Sequence, residues 1–438
     1  MKIHFIGIGG IGISGLAQYM HYKGHEVSGS DIKNTLITKK LREMGIKVSV
    51  PHSKEAIHDQ DLVIHSAIIR PDNPEVVAAK AKGIEVLARR EALLRILDDR
   101  KVYSVAGAHG KSTTTAILTA IMEGSAIIGA ESKAFGSNVR YDDTNDLMIF
   151  EADESDGSFL NSNPYCSIVI NAEPEHMEYY DYNYERFYDS YKRFVQLAPH
   201  KVLNGEDPFL ATLKDEFSDA SWLYPSQDIT EIEFVLINDE PHTRFNLKDL
   251  GSFDVWGFGK HIAIDASMAI LAALESMDIE TIRTNLLNFK GIKKRFDIVS
   301  KENDSVIIDD YGHHPTEIRA TFQSVKEYAQ LKGFSKITAI WQPHKYSRTI
   351  DNLEEFIKCF EGAQELIILP VWAAGETPRD IDFAELFKGY NLTLADKIKR
   401  SNNQITIVKN QEDLRTLDNG LIIGFGAGDI TYQIRGIA

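Results

Sequence analysis

The chain has 438 residues, enough for two or three compact domains that each bury a core of their own. Its 48 Lys and Arg against 64 Asp and Glu give a net charge of −16, which disfavours nonspecific binding to nucleic acid or to an anionic membrane. Two cysteines, Cys166 and Cys359, are too few for a disulfide framework and favour a cytoplasmic protein. Glycines interrupt the first sixteen residues, so no signal peptide is expected, and no apolar run is long enough to span a bilayer.

Three stretches of alternating strand-like and helix-like segments follow one another along the chain. The first runs from residue 2 to about residue 97 and ends before the polar DDRK at 98–101. The second ends at the basic segment GIKKRF at 291–296, and the third continues to the end. Because such alternation is typical of parallel sheets with crossover helices, the sequence predicts three α/β domains in series, over residues 1–98, 99–296 and 297–438.

The glycine loop, GIGGIG at 7–12, joins the first predicted strand to the first predicted helix. Its glycines allow a diphosphate to approach the backbone, and the helix N-terminus offers unpaired N–H groups. Asp31, at the end of the next strand, could accept hydrogen bonds from ribose hydroxyls. The pattern predicts a nucleotide diphosphate site without naming the nucleotide. A tight turn that binds no ligand is the alternative.

The phosphate loop, GAHGKS at 107–112, also lies between a predicted strand and a predicted helix. Its backbone N–H groups would hold phosphate oxygens, Lys111 would neutralise the terminal phosphates and the Ser112 hydroxyl would reach Mg²⁺. The loop is shorter than the common pattern, because Val105 stands where the first glycine would be. A coincidental match remains the alternative.

The acidic loop, EADESDGS at 151–158, follows an apolar strand with four carboxylates. Carboxylate oxygens are ligands that Mg²⁺ accepts, although a charged loop without a metal would look similar. A further apolar strand, CSIVINAEPEH, is expected to end at His176, a residue type that is more often structural than a ligand.

The third stretch carries two polar motifs at predicted strand ends, DDYGHHP at 309–315 and WQPHKYSR at 341–348. Ligands collect at the carboxyl ends of parallel strands, so these motifs could bind a ribose, a carboxylate or a phosphate. The residues concerned are Asp310, Tyr311, His313, His314, His344, Lys345 and Arg348. An ordinary solvated loop is the alternative.

The order of these motifs resembles that of the Mur ligase family, ATP-dependent amide-forming enzymes that build the bacterial cell-wall peptide. The resemblance runs through all three stretches and rests on GIGGIGISG, HSAI with NPEV, AHGKSTTT, EADESD, NAEPEHM, DDYGHHPTE, QPHKYSRT and GAGDI. Within the family, these motifs are most similar to those of members that join L-alanine to UDP-N-acetylmuramate. The resemblance implies a Rossmann-like N-terminal domain, a central P-loop ATPase-like domain and a Rossmann-like C-terminal domain.

The resemblance also implies which residues bind each ligand. UDP-N-acetylmuramate would contact Gly9, Gly10, Ile11, Gly12, Asp31, Ser66, Ala67 and Ile68. ATP would contact Gly107, Ala108, His109, Gly110, Lys111, Ser112, Thr113, Arg295 and Asp310. Mg²⁺ would be held by Ser112, Glu151 and His176. L-Alanine would be surrounded by Tyr311, His313, His344, Lys345 and Arg348. The residues expected to be catalytic are Lys111, His176 and Arg295.

Three departures from the family pattern are present. Lys345 stands where alanine-adding members usually carry Arg, which replaces a bidentate fork by a point charge. Ile262 and Asp265 replace two asparagines of a helix-start motif that contacts adenine, and Ala108 replaces a frequent Thr in the phosphate loop.

The resemblance implies activation of the sugar's lactyl carboxylate by ATP as an acyl phosphate, which the amino group of L-alanine then attacks. A sister ligase that attaches a recycled tripeptide to the same sugar is the nearest alternative. A nicotinamide-dependent dehydrogenase would explain the glycine loop but gives the phosphate loop no role, and a nonenzymatic ATP-binding switch is a third possibility. We expect a cytoplasmic monomer or homodimer.

Overall fold

The computed structural model describes residues 1–302 and 304–437, which fold as two compact units. The first unit contains residues 1–231, 245–254 and 264–290. The second contains residues 232–244 and 255–263 and the chain from residue 291 onward. Among the described residues, no helix combines the length and the apolar character that crossing a membrane requires.

The first sheet is five-stranded and entirely parallel, with the order β3-β2-β1-β4-β5. Its strands are β1 (Lys2–Ile6), β2 (Glu26–Ser30), β3 (Lys47–Ser49), β4 (Leu62–His65) and β5 (Glu85–Ala88). Its helices are α1 (Ile11–Tyr22), α2 (Leu36–Glu43), α3 (Pro74–Ala81) and α4 (Arg89–Leu97). The strand order reverses at β1, so the glycine loop after β1 lies at the switch point where such sheets bind ligands.

The second sheet has seven strands in the order β12-β11-β10-β6-β9-β7-β8, and within it only the β7–β8 pair is antiparallel among the described residues. The strands are β6 (Lys101–Ala106), β7 (Ser125–Ser132), β8 (Ser137–Arg140), β9 (Leu147–Glu151), β10 (Pro164–Val169), β11 (His200–Asn204) and β12 (Ser221–Leu223). The helices beside it are α5 (Lys111–Ile121) and α6 (Tyr184–Leu197). One continuous apolar core packs against both the first and the second sheet, from Ile3 to Phe217.

A region with a smaller sheet follows the second sheet along the chain. It contains helix α7 (Pro225–Asp228) and a three-stranded sheet of β13 (Ile229–Ile237), β14 (Glu240–Leu247) and β15 (Ser252–Trp256), in that order. Helices α8 (Lys260–Ala273) and α9 (Ile279–Leu286) come next. Asp278 caps the N-terminus of α9 by accepting from the N–H groups of Glu280 and Thr281, which is why this helix begins where it does.

The third sheet lies in the second unit, with the order β16-β17-β24-β18-β19-β20, and β16 pairs antiparallel to β17 while the other pairs are parallel. Its strands are β16 (Asp297–Glu302), β17 (Ser305–Asp310), β18 (Ile337–Trp341), β19 (Glu365–Ile368), β20 (Leu392–Leu394) and β24 (Gly420–Phe425). An antiparallel meander is formed by β21 (Lys397–Ser401), β22 (Gln404–Lys409) and β23 (Glu412–Leu417). The helices are α10 (Pro315–Lys332), α11 (Tyr346–Asp351), α12 (Leu353–Lys358), α13 (Phe383–Leu386) and α14 (Ile430–Arg435).

The predicted fold class is confirmed, because three largely parallel α/β sheets follow one another along the chain. The boundaries after residues 98 and 296 stay predictions. The prediction that a strand runs up to His176 is wrong: β10 ends at Val169, and His176 lies in a loop with a φ of 52°. Pro174 and the two glutamates of NAEPEH favour a loop over a strand, although the apolar run before them favours a strand.

Candidate active site

The glycine loop is held in place by Asp31. Its Oδ2 accepts a hydrogen bond of 2.8 Å from the Gly9 N–H, and a Cβ on Gly9 would lie only 2.7 Å from the same oxygen. Gly7 adopts a φ of 81°, which favours glycine at the turn. Gly10 and Ile11 are exposed at the loop surface. The structure therefore gives Asp31 a loop-positioning contact in addition to any contact with a ligand.

Ser66 lies beside the glycine loop, and its predicted contact with the UDP-sugar stays a prediction. Its N–H donates to the Ile6 carbonyl at 3.0 Å, and a Cβ on Gly7 would lie 3.1 Å from the Ser66 Cβ. The next two residues, Ala67 and Ile68, are exposed, and Ile68 is 83% exposed. The predicted UDP-sugar residues thus surround one accessible edge of the first sheet.

The phosphate loop connects β6 to α5 and is clamped by Asn171. The Asn171 side chain accepts from the His109 N–H and donates to the His109 carbonyl, both at 3.1 Å. Gly110 has a φ of 83°, and a Cβ there would lie 2.6 Å from an Asp265 carboxylate oxygen. The N-terminal N–H groups of α5 therefore have a fixed direction, as an anion site requires.

Lys111 is paired with the acidic loop. Its Nζ lies 2.9 Å from Oε1 of Glu154 and also donates to the carbonyls of Gly107 and Ala108. Burial disfavours the charged form of Lys111, but the Glu154 carboxylate outweighs this effect and raises the pKa of Lys111. The other Glu154 oxygen, Oε2, is buried and has no hydrogen-bond partner among the described residues. The Lys111 ammonium, which is predicted to bind a phosphate, therefore forms an ion pair with Glu154 in this structure.

Ser112 and Glu151 come together at the end of β9. Ser112 Oγ donates to Glu151 Oε1 at 3.0 Å, and the Gly129 N–H donates to the other carboxylate oxygen at 2.6 Å. Burial raises the pKa of Glu151, although Lys111 acts in the opposite direction. A hydroxyl, a carboxylate and the unpaired Glu154 oxygen are hard donors of the kind that Mg²⁺ takes from proteins, so these residues fit the ion.

Among the described residues, His176 and Thr113 make no hydrogen bond or ion pair with the side chains of Ser112 and Glu151. His176 is exposed, and among the described residues neither Ser112 nor Glu151 makes a hydrogen bond or ion pair with it. Nor does the described part of the chain contain a group of three His, Cys, Asp or Glu side chains with the geometry of a metal site. The magnesium role of His176 stays a prediction.

In the second unit, Arg295 and Glu317 form an ion pair at the start of α10. Arg295 Nη1 lies 3.1 Å from Glu317 Oε1, and Oε2 of Glu317 accepts from the N–H groups of His313 and His314. Burial alone would raise the pKa of Glu317, but the Arg295 guanidinium outweighs it and lowers the pKa to about 2. Glu317 thus fixes both Arg295 and the N-terminus of α10, and sequence reasoning missed it although PTE at 315–317 is a helix-start signal.

Asp310 is enclosed by backbone groups. Its two oxygens accept hydrogen bonds of 2.8 Å from the N–H groups of Phe296 and Gly312. Burial raises the pKa of Asp310 to about 6, and the nearby Arg295 limits the rise. The visible role of this carboxylate is to join the end of β17 to the segment before β16. Its predicted ribose contact stays a prediction.

The predicted amino-acid residues meet at the ends of β17 and β18. The rings of Tyr311 and His313 have centroids 5.4 Å apart, and those of His313 and His344 are 5.8 Å apart. Arg348 Nη1 lies 3.0 Å from His344 Nδ1. A guanidinium only donates, so His344 Nδ1 accepts and the ring is neutral with its proton on Nε2. Burial and the neighbouring His313 and Arg348 lower the pKa of His344 to about 4.

Lys345 differs from its neighbours in backbone conformation. It has a φ of 68°, and its N–H donates to the Trp372 carbonyl at 2.9 Å. Its side chain makes no hydrogen bond or ion pair with the described residues. Two residues further on, the N–H and hydroxyl of Ser347 donate to the Glu376 carboxylate at 3.0 and 2.6 Å. The ammonium group is therefore available to an anionic ligand.

Comparison with known proteins identifies the family. A profile described as "Mur ligase family, catalytic domain" matches residues 2–101, and one described as "Mur ligase, glutamate ligase domain" matches residues 294–424. The chain is 56% identical over 435 residues to a UDP-N-acetylmuramate–L-alanine ligase of Campylobacter curvus, and the alignment covers 99% of each chain. The chain belongs to the Mur ligase family.

Other relatives of this Mur ligase agree with that assignment. A UDP-N-acetylmuramate–L-alanine ligase of Helicobacter pylori is 53% identical over 438 residues, covering 99% of this chain and 96% of that protein. The crystal structure of UDP-N-acetylmuramate–alanine ligase from Thermotoga maritima superposes with a TM-score of 0.83 at 26% identity, covering 100% and 98% of the two chains. The crystal structure of a murein peptide ligase from Psychrobacter arcticus superposes with a TM-score of 0.64 at 18% identity, covering 100% of this chain and 99% of that one. This likeness shows only that the two proteins share a fold.

In this Mur ligase, the predicted residues form local clusters within each unit. The glycine loop, Asp31 and Ser66 form one, and the phosphate loop with Glu151 forms another. Tyr311, His313, His344 and Arg348 form a third. Sequence reasoning missed residues that hold these clusters in place: Asn171, Glu317, Glu376, and Arg89, which forms ion pairs with two carboxylates of the acidic loop. Asn171 opens the quoted NAEPEH motif at the end of β10, so its position at a strand end was a usable signal.

Proposed function

We propose that this chain joins L-alanine to the lactyl carboxylate of UDP-N-acetylmuramate, splitting ATP to ADP and phosphate, in the synthesis of cell-wall precursors. The observation that carries the proposal is the 56% identity, over nearly the full length of both chains, to an enzyme of that name. The clusters described above support it because every binding function that the reaction needs has a matching group of side chains.

Activation of the carboxylate comes first, because a carboxylate in water has no usable leaving group and its charge repels a nucleophile. In the proposed first step, a carboxylate oxygen forms a bond to the γ-phosphorus of ATP, the bond from that phosphorus to the bridging oxygen breaks, and ADP leaves. In the second, the alanine nitrogen bonds to the acyl carbon, the bond from that carbon to the phosphate oxygen breaks, and inorganic phosphate leaves. The amine loses a proton.

Lys111 and Arg295 are proposed to neutralise the phosphates that take part in the first step. Phosphoryl transfer depends mainly on positioning and on charge stabilisation, which these cations supply. For Lys111 to reach a phosphate, the phosphate must replace Glu154 as its partner at 2.9 Å. Bound Mg²⁺ would neutralise charge between the phosphates, with Ser112 and Glu151 as its protein donors and His176 as a further candidate.

Arg348 is proposed to bind the carboxylate of L-alanine, with Lys345 and Tyr311 beside it. His313 is the proposed acceptor of the amine proton. Its Nδ1 lies 3.2 Å from the Tyr311 carbonyl and 3.4 Å from Glu317 Oε2, and because both are acceptors, Nδ1 carries the proton and Nε2 has a free lone pair. Burial lowers the pKa of His313, which keeps the ring neutral and able to accept.

The remaining parts of the proposal are a cytoplasmic location, a monomer or homodimer, and domains at residues 1–98, 99–296 and 297–438. ATP and UDP-sugars are cytoplasmic metabolites, and both cysteines are free and buried, as in proteins of reducing compartments. Attachment of a tripeptide is not favoured, because relatives at 56% and 53% identity are named as ligases of L-alanine.

The test is phosphate release with UDP-N-acetylmuramate and ATP, comparing L-alanine, other amino acids and the tripeptide. We expect release that depends on L-alanine. When the lactyl carboxylate carries ¹⁸O, the released phosphate should contain one labelled oxygen. Release without label would contradict the acyl phosphate, and faster release with the tripeptide would favour the sister activity.

A further inference from the structure

Arg89 is the first residue of α4, and its side chain is 15% exposed. Every hydrogen bond that its guanidinium makes to the described residues is made by Nη2. Nη2 donates to three side chains of the acidic loop. It lies 2.8 Å from Asp153 Oδ2, 3.0 Å from Asp156 Oδ2 and 2.8 Å from Ser158 Oγ. Burial opposes the charge on Arg89, but Asp156 and Asp153 outweigh it and raise the pKa, so the guanidinium is a permanent cation.

The opposite side of the guanidinium faces the glycine loop. A Cβ built on Gly12 would lie 2.6 Å from Arg89 Nη1, so a larger residue at position 12 would require the Arg89 side chain to shift. Neither Nη1 nor Nε makes a hydrogen bond to a described residue. A partly buried cation thus has an unused Nη1 donor beside the loop proposed to hold a diphosphate. Arg donors of this kind suit phosphate and carboxylate oxygens.

The acidic loop continues directly into the phosphate site. Asp153 is adjacent in sequence to Glu154, which pairs with Lys111 at 2.9 Å. The same loop begins at Glu151, which accepts from Ser112 at 3.0 Å. Two hydrogen bonds hold the backbone of this loop. The Tyr180 hydroxyl donates to the Glu154 carbonyl at 2.6 Å, and the Phe159 N–H donates to the Asp153 carbonyl at 3.0 Å. A shift of Arg89 therefore acts on the residues that hold Lys111 and Ser112.

We propose that Arg89 couples the two sites: when UDP-N-acetylmuramate occupies the glycine loop, Arg89 aligns the acidic loop and raises the affinity for the nucleotide. This inference rests on the proposed function, and it makes Arg89 a positioning residue for the nucleotide site. Binding energy that links two sites is reciprocal, so the nucleotide raises the affinity for the sugar by the same factor.

The test is the dissociation constant of ADP with Mg²⁺, measured by calorimetry with and without saturating UDP-N-acetylmuramate and without L-alanine. The wild-type chain should bind ADP at least about fivefold more tightly in the presence of the sugar, the lower end of common couplings. Arg89→Lys keeps the charge but has no fork that could contact both loops, so the ratio should fall to about one. Asp156→Asn, which weakens only the tether, should also lower the ratio while UDP-N-acetylmuramate still binds.

Arg90→Lys is the matched control. Arg90 follows Arg89 on α4, is exposed, and makes no hydrogen bond or ion pair with the described residues. It should keep the wild-type ratio. Thermal unfolding of every variant checks that the fold is intact, and the conservative replacements are chosen for that reason.

The outcomes separate the two proposals. No binding of UDP-N-acetylmuramate to the wild-type chain would overturn the proposed function. Binding of both ligands with a ratio of one in the wild-type chain, or an undiminished ratio in Arg89→Lys, would overturn the coupling and leave the function standing. A reduced ratio in Arg89→Lys and Asp156→Asn, with Arg90→Lys unchanged, would support it.

Discussion

Replacement of Lys111 by Met should damage both stability and activity, and only the stability should be recoverable. The Lys111–Glu154 pair is nearly buried, with side-chain exposures of 16% and 2%, and its atoms are 2.9 Å apart. At an effective dielectric constant of about 20, a pair at this distance attracts by roughly 6 kcal/mol before desolvation is subtracted. Removing one partner leaves a buried carboxylate uncompensated, which typically destabilises by about 3–5 kcal/mol.

Glu154→Gln in the Lys111→Met background removes that carboxylate charge. We therefore expect the double variant to recover at least half of the lost stability, because a neutral amide can be buried far more easily than a lone carboxylate. Phosphate release should remain reduced by orders of magnitude in both variants, because both lack the Lys111 ammonium that is proposed to neutralise the ATP phosphates. UDP-N-acetylmuramate should bind both nearly normally.

The assay is thermal unfolding monitored by calorimetry, alongside phosphate release. For units of this size, about 3–5 kcal/mol corresponds to a loss of roughly 6–20 °C in Tm. Lys101→Met is the control, since Lys101 is 55% exposed and its ion pair with Asp146 is worth at most about 1 kcal/mol. The reasoning is refuted if Lys111→Met unfolds at the same temperature as Lys101→Met, or if Glu154→Gln brings no recovery.

Three further predictions follow from the site geometry. Asn171→Ala removes two hydrogen bonds from the phosphate loop, worth about 1 kcal/mol each, and should weaken ADP binding by roughly 30-fold in a titration while sugar binding is kept. Gly110→Ala should lower Tm more than Gly45→Ala, because both have positive φ but only Gly110 meets a carboxylate. His344 has a pKa of about 4 in the folded chain and an ordinary value of 6.5, so protons favour unfolding between these values. Stability should therefore fall as pH drops from 6.5 to 4, and less so in His344→Gln; equal pH profiles of the two chains would contradict this.

Much of the fold and the candidate site was accessible from sequence because its signals are local. Alternation of apolar strands and amphipathic helices predicted three α/β sheets, and the sheets are there. Glycines with positive φ, such as Gly7 and Gly110, are dictated by turns that other residues adopt only with strain. The carboxyl ends of parallel strands share an edge, so the strand-end positions of His313 and His344 alone predict that they lie near each other.

Other features depended on contacts between distant parts of the chain, which no local pattern contains. The partner of Lys111 is Glu154, 43 residues away, and the clamp on His109 is Asn171, 62 residues away. The contact of Arg89 with both loops required the first and second sheets to share one core.

The sequence by itself determined the order of the sheets, the loops predicted to bind anions and the family. Only the tertiary structure decided which carboxylate neutralises which cation, which tautomer His344 adopts and where β10 ends. The physical reason is that strand and turn preferences act over a few residues, whereas the pairing of buried charges depends on which side chains the packed core brings within about 3 Å of each other.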